Sequence, residues 1–493
     1  MRKTICLIVP PSTFLLDERV FMSLGILRVA AVMEREDWRV EMLDLSGIAN
    51  YLDAVRDHVS SSAAKVVGIT ATTAQLPAAS LIARAIKSAR PDMRLILGGP
   101  HSTLVCAAKK REVQKGYQGR ASTELQRLQD IFDVLVAGDG EKAIFEACAD
   151  GAPAIIDADS RNNSLFLTDT ELDQLPLPAR HLVDVSSYHY TIDGVPALSL
   201  IAQLGCPFGC GFCAGRSSPM LRHIRTRGSV NIVEEMVHLY KTYGHRGFMF
   251  YDDELNVSKS VVDLMNLISE AQTSLNTEWR LRGFIKSELF TEELAAAMYR
   301  AGFRWILVGF ESGSPRILEN INKKATREDN TRCLKIARKH GLKVKALMSL
   351  GHPGESAATA EETLSWLLET KPEDFDVTII TPYPGSPYYD DARPIGRDNV
   401  WAYEGRNGDR LYQHDLDYTT VADYYKGNPD DGYVAHVFTD QLSSEDLVAE
   451  RDRIERVVRA KLGIPFNPST PSTLYEHSMG QTILPPRILR TTV

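Results

Sequence analysis

No apolar run in the 493-residue sequence approaches the ~18–20 residues of a membrane-spanning helix. Met1-Arg2-Lys3 followed by Ile5 to Val9 has the charge of a secretory signal. The run stops at Pro10-Pro11, however, short of the roughly 7–15 residue core such a signal needs, and it reads as a first buried strand. Basic charge is not in excess either: 56 Lys and Arg stand against 64 Asp and Glu, a net charge of −8. That balance argues against a nucleic-acid coat, while leaving local basic pockets open. Cysteine is scarce and its count of seven is odd, with Cys6, Cys106, Cys148 and Cys333 scattered. Such spacing is no disulfide framework, and it places the chain in the cytoplasm, where thiols stay reduced and can hold metal. There is no internal repeat and no low-complexity tract. What remains is a composition of ordinary globular type, 44% hydrophobic and 24% charged, in a chain long enough for two to four domains.

Residues 1–150 alternate apolar runs with helical stretches, the pattern of a parallel α/β sheet. The strands fall at Thr4–Val9, Arg39–Leu43, Val66–Thr70, Arg94–Leu97 and Val134–Ala137. Several end in small or Gly-rich turns: Thr70 to Thr73, Gly98-Gly99-Pro100-His101 and Gly138-Asp139-Gly140-Glu141. In a doubly wound sheet the ligand crevice lies at these strand ends, so a pocket is expected here, against the alternative of plain tight turns. Residues 151–190, rich in Pro and acidic side chains, read as an ordered linker. Residues 191–390 hold six more strand–helix units, suggesting an open or partial barrel. Its last helix is expected to open with a capping box, Thr359-Ala-Glu-Glu362. Residues 391–493 read as a small, mostly helical or irregular cap. Tyr383 to Tyr433 carries nine of the 18 tyrosines and is the expected substrate-facing region. A helix at Ser443–Leu462 follows, and Tyr475-Glu-His477 beyond it reads as structural.

The feature that carries chemistry is "GCPFGCGFC", with Cys206, Cys210 and Cys213 in a glycine-rich loop directly after a barrel strand. A disulfide takes two thiols and a structural zinc site takes four ligands. Three thiolates on one loop suit an iron–sulfur cluster that keeps one iron free of protein. The alternative is a zinc site borrowing a distant Cys333 or histidine.

This loop, with aromatic Phe212 before the third cysteine, resembles the signature of the radical S-adenosylmethionine (SAM) superfamily. The resemblance implies a [4Fe-4S] cluster whose open iron chelates SAM, reductive cleavage to a 5′-deoxyadenosyl radical, and a partial six-unit TIM-like barrel. It further implies that one of Asp252, Asp253 and Glu254 meets the SAM ammonium. Glu311 and Ser312 would contact ribose or methionine, and Arg282 would pair the SAM carboxylate, with a barrel-rim ion pair as its alternative. Gly351 to Glu355 and Pro382 to Pro387 look like rim turns of the same superfamily. The series "PP", "SLGILRVAAVME", "VVGITATT", "LILGGPHST" and "VLVAGDGEKAI" resembles the cobalamin-binding domain that precedes the barrel in class B radical SAM methyltransferases.

On that resemblance Thr70, Thr72, Gly98, Gly99, Gly138, Gly140 and Glu141 would cradle cobalamin. The Asp-x-His-x-x-Gly motif by which other proteins offer histidine to cobalt is absent. The nearest string, Asp44-Leu-Ser46-Gly-Ile-Ala49, follows the wrong strand. The expected fold is therefore α/β: a Rossmann-like doubly wound sheet, a partial (β/α)6 barrel and a cap. The expected function is cobalamin-dependent methylation of a small-molecule substrate, with flavodoxin or ferredoxin as electron donor and no nucleic-acid partner. A radical cyclase or rearrangement enzyme is the alternative. Methylthio transfer ranks lower, because the first-domain cysteines are not clustered and the C-terminal region is acidic.

Overall fold

The computed structural model describes residues 2–12, 17–396, 399–421, 434–465 and 490–493. The first six strands are β1 (Thr4–Val9), β2 (Arg39–Asp44), β3 (Val66–Thr70), β4 (Arg94–Gly98), β5 (Val134–Gly138) and β6 (Ile155–Ala158). They form one sheet in the order β2-β1-β3-β4-β5-β6, every pairing parallel. Continuous apolar runs such as Ile5 to Val9 follow from this, because helices cover both faces. Leu24–Arg35 and Gly140–Ala147 pack on one face, over Ile5, Leu7, Ile96 and Val136. Helices Tyr51–Ser61, Leu76–Ala89, Pro100–Gln114 and Arg120–Gln129 pack on the other, over Cys6, Ile8, Val67 and Ile69. The chain reverses its direction of travel across the sheet between β1 and β3, where open α/β sheets bind ligands.

β6 lies inside the stretch read as a linker. It is four residues long among acidic and polar neighbours, too short to signal itself, yet it closes against β5 through Ala137 and Gly138. Gly138 has φ +96, and a Cβ there would stand 2.4 Å from the Ala158 carbonyl carbon, so only glycine lets the strand ends meet.

The second sheet comprises β7 (Thr191–Ile192) and β8 (Val195–Leu200), β11 (Gly247–Phe250), β12 (Arg280–Phe284), β13 (Phe303–Glu311), β14 (Lys343–Leu350) and β15 (Asp374–Ile379). β9 (Gln203–Leu204) and β10 (Arg225–Thr226) form a separate ribbon. The order β15-β14-β13-β12-β11-β8-β7 sets six parallel strands side by side in sequence, with β7 antiparallel at the edge. This is an open six-unit partial barrel. Alternation along the strands sends Phe248 and Phe250 toward the helices, and Met249 inward with Trp305 and Leu307. Its last helix, Ala357–Thr370, starts earlier than the sequence suggests. Ser356 is the N-cap, Thr359 N–H donates to Ser356 Oγ (3.2 Å), and Ser356 N–H donates to Thr359 Oγ1 (2.9 Å).

The cap departs from the expected irregular domain. β16 (Arg393–Pro394), β17 (Val400–Glu404), β18 (Arg410–His414) and β19 (Val437–Thr439) form a four-stranded antiparallel sheet. The strands were hard to see because they are short and polar, with aromatic residues interleaved among charges. Helix Ser444–Leu462 then lies along β15, the open edge of the barrel. Glu455 Oε1 accepts from Val377 N–H (2.7 Å), Arg451 Nε donates to Val377 O (2.9 Å), and Arg459 Nη2 donates to Phe375 O (2.6 Å). The helix thus protects an edge whose backbone groups would otherwise invite another strand. Tyr424, Tyr425, Tyr433 and the Tyr475-Glu-His477 string lie outside the described residues.

Candidate functional site

The cysteine loop leaves the barrel after β8 and β9 and is pinned at each turn. Cys206 N–H donates to Leu221 O (3.0 Å), Gly211 N–H to Ile321 O (2.8 Å), and Tyr388 N–H to Gly211 O (3.0 Å). Two glycines are required by space. A Cβ on Gly205, at φ +85, would meet His223 O at 2.2 Å, and one on Gly211 would meet the Tyr388 ring at 2.2 Å. Arg216 Nη1 donates to the carbonyls of Cys206 (2.7 Å) and Phe208, folding the loop around a guanidinium.

Burial raises all three thiol pKa values, that of Cys213 to about 12. Alone they would stay protonated, and nearby Arg216, Lys286 and Lys323 only partly offset this. A metal centre supplies what the thiolates lack. Among the described residues no three His, Cys, Asp or Glu side chains are placed to hold a single ion. Cys333 is fully buried in the helix Arg327–Lys339, within the core. Cys6 and Cys106 are buried in the first domain's core and behave there as small apolar side chains.

Around the loop stand the ends of the neighbouring barrel strands. Asp252 is 2% exposed, and its carboxylate accepts from the N–H groups of Ala202 (3.0 Å) and Gln203, bracing the chain just before the cysteines. Asp253 lies near Gly205 and Arg216. The Glu254 carboxylate makes no hydrogen bond among the described residues, and burial pushes it up to about 7, with Lys323 and Lys286 opposing. At the end of β13, Glu311 adopts φ +67 at a register shift and is nearly buried. It accepts from Lys323 Nζ (3.0 Å) and Ser349 Oγ (2.8 Å). Gly309 makes room for that pair, since a Cβ there would stand 2.6 Å from Glu311 Oε1.

Because Ser349 gives its proton to Glu311, His352 Nε2 must donate to Ser349 Oγ (2.8 Å). Burial lowers His352 to about 4, so the ring is neutral. It lies 5.3 Å from Phe212 and 6.1 Å from Tyr388. Lys286 Nζ lies 4.1 Å from the Phe208 ring and donates to Lys323 O (2.9 Å).

Ser312 and Arg282 meet other protein groups. Ser312 is turned onto helix Ala357–Thr370, where its hydroxyl meets Thr363 Oγ1 (3.1 Å). Arg282 points into the barrel floor, over Trp305 (5.2 Å) and bonded to Tyr190, because its place in the β12 alternation directs it inward. Sequence reading passed over Lys286, Lys323, Ser349 and His352. Only the "GHPGE" turn gave a signal for any of them.

In the first domain the turns after β3, β4 and β5 border one cavity of about 590 Å³. Thr70, Thr72, Gly98, Gly99, Gly138, Gly140 and Glu141 all line it. An apolar shaft runs down between sheet residues Leu7, Gly68 and Ile96 and helix residues Ile26, Val29 and Ile144. The barrel closes the opposite side with Leu204, Met220, Leu221 and Tyr251. A polar, glycine-rich mouth above an apolar shaft fits a flat cofactor with amide-bearing edges and an aromatic tail. No histidine borders the cavity among the described residues.

The Asp252 carboxyl gives a pH signature. Burial lifts its pKa from 3.8 to about 7, so the folded state keeps the proton to higher pH than the unfolded chain. Its stabilising share is therefore present below about pH 4 and lost as pH rises to about 7. Asp252→Asn keeps an acceptor for both N–H groups and should equal wild type only below about pH 4, where both folded and unfolded Asp252 carry the proton. It should gain on wild type toward pH 8, by at most about 4 kcal/mol. Urea unfolding at the two pH values measures this, and parallel curves would refute it.

A cysteine-loop barrel fused to a doubly wound cofactor domain defines the class: an enzyme with a cluster at the barrel mouth and a second large cofactor beside it. The radical SAM superfamily profile matches residues 200–367, and the B12 binding domain profile matches residues 18–128. The chain belongs to the radical SAM enzymes that carry a B12-binding domain, whose cofactors are a [4Fe-4S] cluster, SAM and cobalamin.

An uncharacterized methyltransferase of Pyrococcus horikoshii is 27% identical over 434 residues, 85% of this chain and 86% of that one. The anaerobic magnesium-protoporphyrin IX monomethyl ester cyclase of Rubrivivax gelatinosus is 23% identical over 354 residues, 68% of this chain and 59% of the cyclase. Among solved structures, the radical SAM methyltransferase TsrM of Kitasatospora setae, with cobalamin and a [4Fe-4S] cluster bound, shares the fold. Its TM-score is 0.62 at 18% identity, covering 82% of this chain and 81% of TsrM.

Proposed function

We propose that this chain is a cobalamin-dependent radical SAM methyltransferase acting on a small organic molecule. One observation carries the reading: Leu204, on the cavity wall, immediately precedes Gly205-Cys206, so the cobalamin cavity and the cluster loop share a segment. Bound in these sites, the cluster with SAM supplies hydrogen abstraction and cobalamin supplies methyl transfer. Cys206, Cys210 and Cys213 hold the cluster, and Arg216 offsets its negative charge.

Glu254, rather than Asp252, receives the SAM ammonium, because Asp252 is spent on the backbone. Lys323 and Lys286 take the place first given to Arg282 as cations for the SAM carboxylate. Glu311 keeps Lys323 charged and in position, and Phe212 with His352 forms an apolar, neutral wall. Thr70 and Thr72 offer hydroxyls to the corrin amides, while Gly98, Gly99, Gly138, Gly140 and Glu141 shape the mouth. The small-molecule substrate class agrees with TsrM, which has also been solved with tryptophan. A flavodoxin or ferredoxin in the cytoplasm would deliver the electron. The proposed division keeps the barrel at 191–390 and the cap at 391–493, and extends the first domain past residue 150 to include β6 (Ile155–Ala158).

The similarity to the magnesium-protoporphyrin cyclase keeps a radical ring-forming reaction as the second reading. Anaerobic reconstitution with iron, sulfide and hydroxocobalamin separates the two. The protein is then given methyl-labelled SAM, a reductant and the small-molecule fraction of its source cells. Retained corrinoid, labelled product and equal S-adenosylhomocysteine and 5′-deoxyadenosine are expected. 5′-Deoxyadenosine alone, with no corrinoid retained, would replace methyl transfer by the second reading.

A further inference from the structure

Arg28, on helix Leu24–Arg35, is 7% exposed and borders the cavity of the first domain. Among the described residues it makes no hydrogen bond and no ion pair. A guanidinium at such depth is ordinarily paired. The acids near it are engaged or too far away. Glu235 gives one oxygen to Arg180 (2.8 Å) and the other to Arg227 (2.6 Å). Asp139 is held by Arg225 at 2.5 Å. Glu141 forms no ion pair with Arg28, and burial raises its pKa, which weakens it as a counter-charge. Asp17 and Glu18, which also line the cavity, are paired with His189 (2.7 Å) and Arg490 (3.0 Å), so Arg28 is the lining cation that no carboxylate among the described residues pairs.

Helix termini add to that field. Leu24–Arg35, Pro100–Gln114 and Gly140–Ala147 all begin on the cavity, and Leu24, Gly25, Pro100 and Gly140 line it. Their N-caps Ser23, Gly99 and Asp139 make no side-chain capping bond. Pro100 has no N–H, His101 N–H donates to Ala71 O (3.1 Å) and Glu141 accepts its own N–H, so the field comes from the dipoles of the three helices, whose positive ends border one space. The site is built for an anion. Cobalamin carries one formal anion on its periphery, the phosphodiester joining the corrin to its nucleotide tail.

We infer that Arg28 binds the phosphodiester of the cobalamin nucleotide tail, and so selects complete cobalamin over corrinoids that lack the tail. This rests on the cobalamin reading above. The test titrates the cluster-reconstituted protein with hydroxocobalamin and with cobinamide, which has the corrin ring but neither nucleotide nor phosphodiester. Corrin absorption reports both affinities. Arg28→Gln should weaken hydroxocobalamin by about 10- to 100-fold while leaving cobinamide within about twofold. Arg28→Lys, which keeps the charge, should retain most of the preference. Equal weakening of both corrinoids, or no change in either, would overturn the assignment. Wild-type protein that binds neither corrinoid would overturn the cobalamin reading itself, and this inference with it.

Discussion

Cys210→Ala is expected to abolish SAM cleavage, by at least about a thousandfold, together with the visible absorption of the reconstituted cluster. In the proposed ligation each of the three thiolates would hold one iron, so no other side chain could stand in. The backbone of the loop is fixed independently of its sulfurs, through Leu221, Ile321, Tyr388 and Arg216. Cys210 packs against Ile317 and Ile321, where alanine is tolerated. The variant should therefore fold, and the loss should be chemical. Cys333→Ala is the matching control. That thiol lies in the core, and its removal should cost about 1 kcal/mol of stability and leave cluster and cleavage intact. If Cys333→Ala lost the metal while Cys210→Ala kept SAM cleavage, the cluster would be wrongly placed.

The second large effect lies at the Glu311–Lys323 pair. The two side chains are 11% and 6% exposed and stand 3.0 Å apart. Burial alone would depress Lys323, but Glu311, with Cys210 and Glu254 nearby, drives its pKa above the ordinary lysine value. Burial would likewise raise Glu311, yet Lys323 and the Ser349 hydroxyl hold it below the ordinary carboxylate value. The Glu311 contribution is therefore present above its unfolded pKa and lost as pH falls into the acid range. Lys323→Met should destabilise the protein by about 3–5 kcal/mol, because it strands a buried carboxylate. The double variant Glu311→Gln with Lys323→Met should recover much of that loss, since no charge is left behind. Urea unfolding of both variants decides it. A double variant no more stable than the single one would show that the pair is not coupled.

Much of the fold was legible because its strands are fully buried and therefore apolar along their whole length. Thr4–Val9 and Val66–Thr70 appear where the sequence reading put them. The cysteine loop was legible because three ligands at fixed short spacing need no tertiary knowledge. So were the seven residues on the cavity wall, which sit at strand ends where the topology gathers them. The cations at the cluster were not. Lys286 and Lys323 look like surface lysines in the sequence, and only the packing of the β12 and β13 ends buries them beside Cys210. The inward direction of Arg282, over Trp305, comes from the β12 alternation and was not legible from its strand position alone. The cap sheet stayed hidden since its alternation is carried by Trp, Tyr and Leu among charges, without a long apolar run.

The Asp139–Arg225 pair reaches beyond the cavity wall. Asp139 comes from the turn after β5 and Arg225 from the barrel's ribbon, and both are almost wholly buried. Asp159, after β6, similarly holds Ser218 Oγ (2.7 Å) and Met220 N–H (2.8 Å), and Arg120 of the first domain stacks on Tyr389 at 3.6 Å. Melting either domain alone would strand these charges in a half-open interface. The thermodynamic consequence is coupling: these buried cross-domain contacts tie the melting of one cofactor domain to that of the other, a link that multidomain chains commonly lack.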